Sequence, residues 1–233
     1  MNELNKFETD DSVFVIKRKS KRAGMPENSR YVFPRKVPEI PERLLKYEKA
    51  EQLANDLNPE KGMRAFCLLS GNFIAGDFIE AFIVKHNIHV KRLTISTLSM
   101  SQNNVDSLKN LLEGDYVDEL NLVVSDYFFA HEKYGLTPYI YETLDIDNRL
   151  QLAVAATHCK VVLIETHDGL KIVMHGSANL RSSSSLESMM VEESEDLYDF
   201  NMEYHQEILN HFSTIKKSLR DKSLWQAVKK QKQ

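Results

Sequence analysis

Hydrophobic and polar positions along the chain alternate between two periods. Between residues 41 and 57, Leu44, Leu45, Leu53 and Leu57 recur at helical spacing. Beyond them, short apolar runs rich in β-branched residues predict strands at 63–70, 92–97 and 120–125, and longer amphipathic runs predict helices at 77–85 and 104–112. The stretch 137–156 reads as mostly helical. The apolar run after Lys160 and the segment 170–174 read as two strands joined through Thr166-His167-Asp168-Gly169, where Asp-Gly signals a tight turn. Residues 186–192 fit a further strand, and 197–219 a terminal helix with Leu197, Phe200, Ile208, Leu209 and Phe212 toward the core. Strands alternating with helices predict an α/β fold, a mixed β-sheet flanked by helices. No internal repeat is present.

Composition fits one such domain. The 233 residues are 42% hydrophobic, enough to bury a full core. A net charge of -4 excludes a uniformly basic nucleic-acid coat, so any basic binding surface must be local. Cys67 and Cys159 show no metal-binding or Cys-x-x-Cys spacing and read as buried thiols of a reducing compartment. The first residues lack the apolar region of a signal sequence and no run reaches membrane-spanning length, so the expected location is cytoplasmic, with no stable membrane association.

The first forty residues differ from the rest. Lys17, Arg18, Lys19, Lys21, Arg22, Arg30, Arg35 and Lys36 are interleaved with Tyr31 and Phe33 and interrupted by Pro26, Pro34 and Pro38, with Pro41 just beyond. This predicts a basic arm over 1–40, a folded domain over 41–219 and a basic tail over 220–233. The arm fits a contact that follows a nucleic-acid backbone while its aromatics stack on bases. It fits equally a solvated tail, or a segment wrapping a second copy.

The chemistry concentrates in the last third. In a strand, His158 and Lys160 emerge on one face, being two residues apart. The hairpin that follows ends at Gly176, where the lack of a Cβ permits close backbone approach, and Ser177 and Asn179 then offer short donors suited to phosphate oxygens. Glu187 follows shortly after. Two other His-x-Lys triplets, at His89 and His131, lack a subsequent Gly-Ser-x-Asn and are incidental. From residue frequencies, that tetrapeptide follows a given His-x-Lys by chance on the order of a few times per thousand sequences.

His-x-Lys, four residues, an acid, Gly-Ser-x-Asn and a downstream Glu resemble the HKD motif of the phospholipase D superfamily. The likeness is close over about thirty residues, from His158 to Glu187, with Glu165 standing where the family has Asp. The resemblance implies a phospholipase D-like domain with His158 as nucleophile, Lys160, Ser177 and Asn179 on the phosphate, and Glu165 as a structural acid. Glu187 would accept from the second nitrogen of the imidazole. Arg181 is a secondary phosphate ligand, because a guanidinium can hold a neighbouring phosphate. Such chemistry calls for no metal and no other cofactor. A single motif further implies pairing as a two-fold homodimer, since the leaving oxygen needs an acid from a second histidine.

That likeness makes the leading function metal-independent phosphodiester hydrolysis through a phosphohistidine, by a nuclease acting on DNA. The alternatives are an inactive nucleic-acid-binding or assembly protein of a phage or mobile element, and a phospholipid-acting phosphodiesterase. Of the remaining features, Tyr127-Phe128-Phe129 reads as packing more than as groove lining. Glu192, Glu193, Glu195 and Asp196 read as carboxylates at the start of the terminal helix. Ser182 to Ser185 reads as a mobile loop beside the site, and His167 and His175 carry no specific role.

Overall fold

The structure is a computed structural model that describes residues 32–33, 50–69, 73–181 and 186–213. The expectations for residues 17–22, 44–45 and 182–185, for the tail and for the end of the terminal helix lie outside these residues. In chain order the elements are β1 (Val32–Phe33), α1 (Ala50–Asp56), β2 (Arg64–Leu69), α2 (Ala75–Lys85), β3 (Val90–Thr97), α3 (Gln102–Glu113) and β4 (Leu120–Ser125). They continue with α4 (Asp126–Glu132), α5 (Leu136–Leu144), β5 (Leu150–Ala155), β6 (Val161–Thr166), β7 (Lys171–Gly176), β8 (Glu187–Glu193) and α6 (Glu195–Phe212).

The strands form one mixed sheet in the order β1-β2-β8-β7-β6-β3-β4-β5. β3, β4 and β5 run parallel, and β6 joins them antiparallel along β3. Alternation along each strand divides the core. Ile164, Ile172, Met174 and Val191 are buried in the main cluster with Leu53, Phe78, Phe82 and Leu108 of the helices. On the opposite face Leu163 and Val173 pack with Tyr198, and Val123, Ala153 and Ala155 with Leu209, both from α6. β4 is buried at every position, as a strand covered on both faces must be.

Three expectations are corrected. The stretch 137–156 is not one helix: α5 ends at Leu144, Asp147 and Asn148 take left-handed backbone with φ of 51° and 60°, and β5 follows. Leu and Ala favour helices, but parallel pairing of Leu150 with Leu120 and of Ala155 with Ser125 holds this segment extended. In α6 the buried residues are Tyr198, Asn201, His205 and Leu209, whereas Phe200 and Phe212 are exposed. The polar and aromatic residues turn inward because Tyr198 reaches Glu165 and Asn201 bonds the Leu197 carbonyl. Finally, Phe33 of the basic segment belongs to the sheet, paired opposite Phe66 on the edge strand β1.

The short helix α4 leaves little periodic signal, yet its start is encoded: the Ser125 hydroxyl accepts the Phe128 amide at 2.9 Å. Phe128 is buried, so the aromatic run is packing at that position, while Tyr127 stays exposed. At the start of α6, Ser194 accepts the Leu197 amide, with Glu195 and Asp196 in the first turn. Glu192 departs from the expected role. It is buried on β8, bonding Arg64 at 2.7 Å and His175 at 3.1 Å.

Candidate functional site

The candidate residues meet at the edge formed by the carboxyl ends of the three parallel strands, where open α/β sheets form crevices. Register explains the meeting. Ser96, near the end of β3, pairs with Val161 at the start of β6, which pairs with His175 near the end of β7. Gly176 pairs with Met189, and Glu187 with Leu69 at the end of β2. Residues 160, 176 and 187 thus converge from three strands.

His158 and Lys160 lie in the irregular lead-in to β6, just before the strand that was expected to contain them. The lead-in is pinned at several points. Ser96 donates to the Cys159 carbonyl at 3.3 Å, the Cys159 amide bonds the Thr157 hydroxyl at 3.1 Å, and the Gly176 amide bonds the Lys160 carbonyl at 3.4 Å. The His158 side chain is exposed, and Lys160 Nζ donates to the His158 carbonyl at 3.2 Å. The backbone of the proposed nucleophile is thereby fixed while its ring faces solvent.

Gly176 is needed for close approach. A Cβ there would collide with the Ser188 carbonyl and come within 2.9 Å of Met189 Cα. Directly after it, the Ser177 amide bonds the Ser188 carbonyl at 2.9 Å and the Ser177 hydroxyl donates to the Glu187 carboxylate. The next residues are tied to β3 and the loop beyond it. The Leu180 amide bonds Thr97 Oγ1 at 3.2 Å, and the Leu180 carbonyl accepts the Ser101 amide at 2.9 Å. Asn179, between these anchors, has a buried Oδ1 with no hydrogen-bond partner. Arg181 is exposed at the end of the segment.

The carboxylate of Glu187 is joined to Ser177; among the described residues the His158 ring has no hydrogen-bond partner. The other motif acid, Glu165, sits on the face opposite Lys160. It receives Lys91 at 2.7 Å, Arg92 at 3.3 Å and the Tyr198 hydroxyl at 3.3 Å. Burial pushes its carboxyl up, but the bond and charge of Lys91, with Arg92 and Tyr198, outweigh this and hold it below the usual carboxylate range. Glu192 is likewise pushed up by burial and drawn below that range by His175 and Arg64.

The thiols differ from expectation. Cys67 is buried, and burial pushes it up to about 12, whereas Cys159 is exposed because it precedes the strand. Its thiol stands beside the Tyr204 hydroxyl, which is pushed well up, chiefly by burial. The incidental histidines have local partners: His89 stacks with Tyr116, and His131 bonds the Tyr127 carbonyl. His167 bonds Asp118 at 2.7 Å. Among the described residues no cluster of three or more His, Cys, Asp or Glu is disposed to hold a metal ion. No described helix is long and apolar enough to cross a membrane.

A small recess of about 30 Å³ lies beside Lys160, lined by Phe78, Ile79, Val162, Met174 and Met189 among others. Sequence reasoning missed these residues at the site. Each is an ordinary core residue by pattern, and only the packing of α2 over β6, β7 and β8 brings them to the edge.

The fold is thus that of an α/β protein whose mixed sheet gathers His158, Lys160, Ser177, Asn179 and Glu187 at one edge. Solved structures similar to this chain include a phospholipase D family member, Nuc of Salmonella typhimurium. It is 13% identical, covers 66% of this chain and 99% of its own length, with a TM-score of 0.47. NucT from Helicobacter pylori is 13% identical over 66% of this chain and 100% of its own, with a TM-score of 0.48. The phosphatidylserine synthase of Haemophilus influenzae is 16% identical over 66% of this chain and 40% of its own, with a TM-score of 0.42. No family model and no curated protein sequence matches the chain.

Proposed function

We propose that this chain is a phosphodiesterase of the phospholipase D superfamily, a nuclease that cleaves DNA in the cytoplasm without a metal. The observation that carries this reading is the convergence on one sheet edge of the HKD-like residues, with His158 exposed, Gly176 in close contact with β8, and Ser177 joined to Glu187.

An imidazole nitrogen of His158 attacks phosphorus, and the bond to the leaving oxygen breaks as that oxygen takes a proton from a general acid. Water then attacks the phosphohistidine, releasing a phosphomonoester and free His158. Lys160 offsets charge on the phosphate and Asn179 and Arg181 supply donors, joined by the Ser177 hydroxyl when its single proton turns from Glu187 to the phosphate. Glu187, held at the edge by Ser177, accepts from the imidazole when the ring turns toward the phosphate. The acid is His158 of a second copy, so the active form is a two-fold homodimer. The basic residues between Lys17 and Lys36 favour DNA as the substrate.

The test is hydrolysis of DNA and of a small phosphodiester in excess chelator, with His158→Ala as the control. Turnover should fall about a thousandfold or more, with folding unchanged because the side chain is exposed. Metal-dependent activity that survives the substitution overturns the mechanism. DNA binding with no hydrolysis by the wild-type chain would instead favour the inactive binding or assembly protein.

A further inference from the structure

Ser96 and Thr97 end β3, where every position from Leu93 onward is buried. A strand covered on both faces ordinarily carries aliphatic side chains at such positions. Valine has nearly the shape of threonine, so packing alone gives no reason for a hydroxyl at 97, and burying one is costly unless it is bonded. Both hydroxyls are bonded to backbone. Ser96 donates to the Cys159 carbonyl at 3.3 Å. Thr97 accepts the Leu180 amide at 3.2 Å and donates to the Ser99 carbonyl at 2.8 Å, so its proton and a lone pair are both engaged.

The residues held in this way stand at the middle of the site's two arms. Cys159 lies between His158 and Lys160, and Leu180 lies between Asn179 and Arg181. Successive side chains of a strand point to opposite faces, which lets two neighbours reach two separate segments. The second arm is closed further: the Leu180 carbonyl accepts the Ser101 amide at 2.9 Å, its side chain is buried, and Ser125 holds the intervening loop through the Leu98 carbonyl at 2.8 Å. Asn179 depends on this anchoring, because its buried Oδ1 has no hydrogen-bond partner among the described residues. We propose that Ser96 and Thr97 are positioning residues that set the nucleophile arm against the phosphate-donor arm. Ser96 acts through the arm of His158 and Lys160, and Thr97 through that of Asn179. The inference rests on the phosphodiesterase reading above for the roles of the two arms, and adds to it the residues that space them.

The experiment is a crossed set of variants of the full chain, read by the calorimetric Kd for inorganic phosphate and by kcat/KM for bis-p-nitrophenyl phosphate. Thr97→Val nearly keeps the shape and removes the hydroxyl. It should weaken phosphate binding about fivefold, the scale of one neutral hydrogen bond, and Thr97→Ser should restore most of the loss. In the Asn179→Ala background Thr97→Val should have no further effect, whereas in the Lys160→Ala background it should keep its effect. Ser96→Ala should behave in reverse, losing its effect beside Lys160→Ala and keeping it beside Asn179→Ala. Effects that are the same factor in every background, or that are absent, overturn the inference, as does a Thr97→Val loss that Thr97→Ser does not restore. Should Thr97→Val fail to fold, amide hydrogen exchange in the wild-type chain decides. The Leu180 amide should be protected, and exchange at the rate of an unbonded loop amide overturns the anchor. If the wild-type chain binds phosphate without hydrolysing the diester, the phosphodiesterase reading falls and the Kd comparisons still decide the positioning. If it does neither, both readings fall.

Discussion

The hydroxyl of Ser177 donates to the carboxylate of Glu187 and accepts the Ser188 amide at 2.9 Å, so one side chain fastens the end of β7 to the start of β8. Removing it should release Glu187 and take from the phosphate the donor that Ser177 supplies when its proton turns away from Glu187. Ser177→Ala is expected to lower kcat/KM about a hundredfold, the scale of one lost preorganised donor. The melting temperature should hardly move, because the contact is exposed. Ser177→Thr should restore part of the activity; steady-state kinetics beside thermal unfolding separates the two effects.

Glu165 should matter for stability rather than for chemistry. Glu165→Ala leaves Lys91, Arg92 and the Tyr198 hydroxyl without their shared acceptor and should cost about 1–3 kcal/mol in urea denaturation. Its folded pKa is depressed, so the unfolded chain takes up the proton first as pH falls. The contribution is therefore present above the unfolded value, about 4.3, and is lost as pH falls through the folded one. The gap between wild type and Glu165→Gln should narrow in acid. A gap independent of pH would show that the carboxylate's charge is not what joins α6 to the sheet.

His205 gives the same sign at higher pH. It is fully buried, with Nδ1 on the Asn201 carbonyl at 2.8 Å and Nε2 unpartnered, and burial lowers its pKa. Its neutral form contributes stability above the unfolded value, about 6.5, and this is lost as pH falls toward the lower folded value. Urea midpoints should start to decline as pH falls below about 6.5, before the carboxylates titrate. His205→Leu should flatten the decline below about pH 6.5.

The proposed dimer is open to a mixing experiment as well as to sedimentation, which should give twice the chain mass. If each active centre takes His158 from both copies, mixing wild-type chain with excess His158→Ala should suppress activity beyond simple dilution, because mixed dimers carry one histidine. Activity that stays proportional to wild-type chain would place the general acid within one copy.

The motif and most strands were legible from local signals. β4 was predicted at its observed limits, 120–125, because a buried run of Leu and Val between polar flanks has few alternatives. His158, Lys160, Ser177, Asn179 and Glu187 were marked as candidates by their spacing and by the resemblance that spacing carries. Tertiary structure decided what spacing cannot express. β5 became a strand because β4 offered its Leu150–Ala155 segment a parallel partner, against the helix preference of Leu and Ala. Phe200 and Phe212 remained outside because Tyr198 and His205 took the inner face of α6. Glu187 found Ser177, and Glu192 found both His175 and Arg64, partners 17 and 128 residues away along the chain. The sequence by itself determined which residue types could do the chemistry and the period of most elements. Only the folded chain decided their neighbours, because cross-strand register and helix packing join distant residues through contacts that no local pattern encodes.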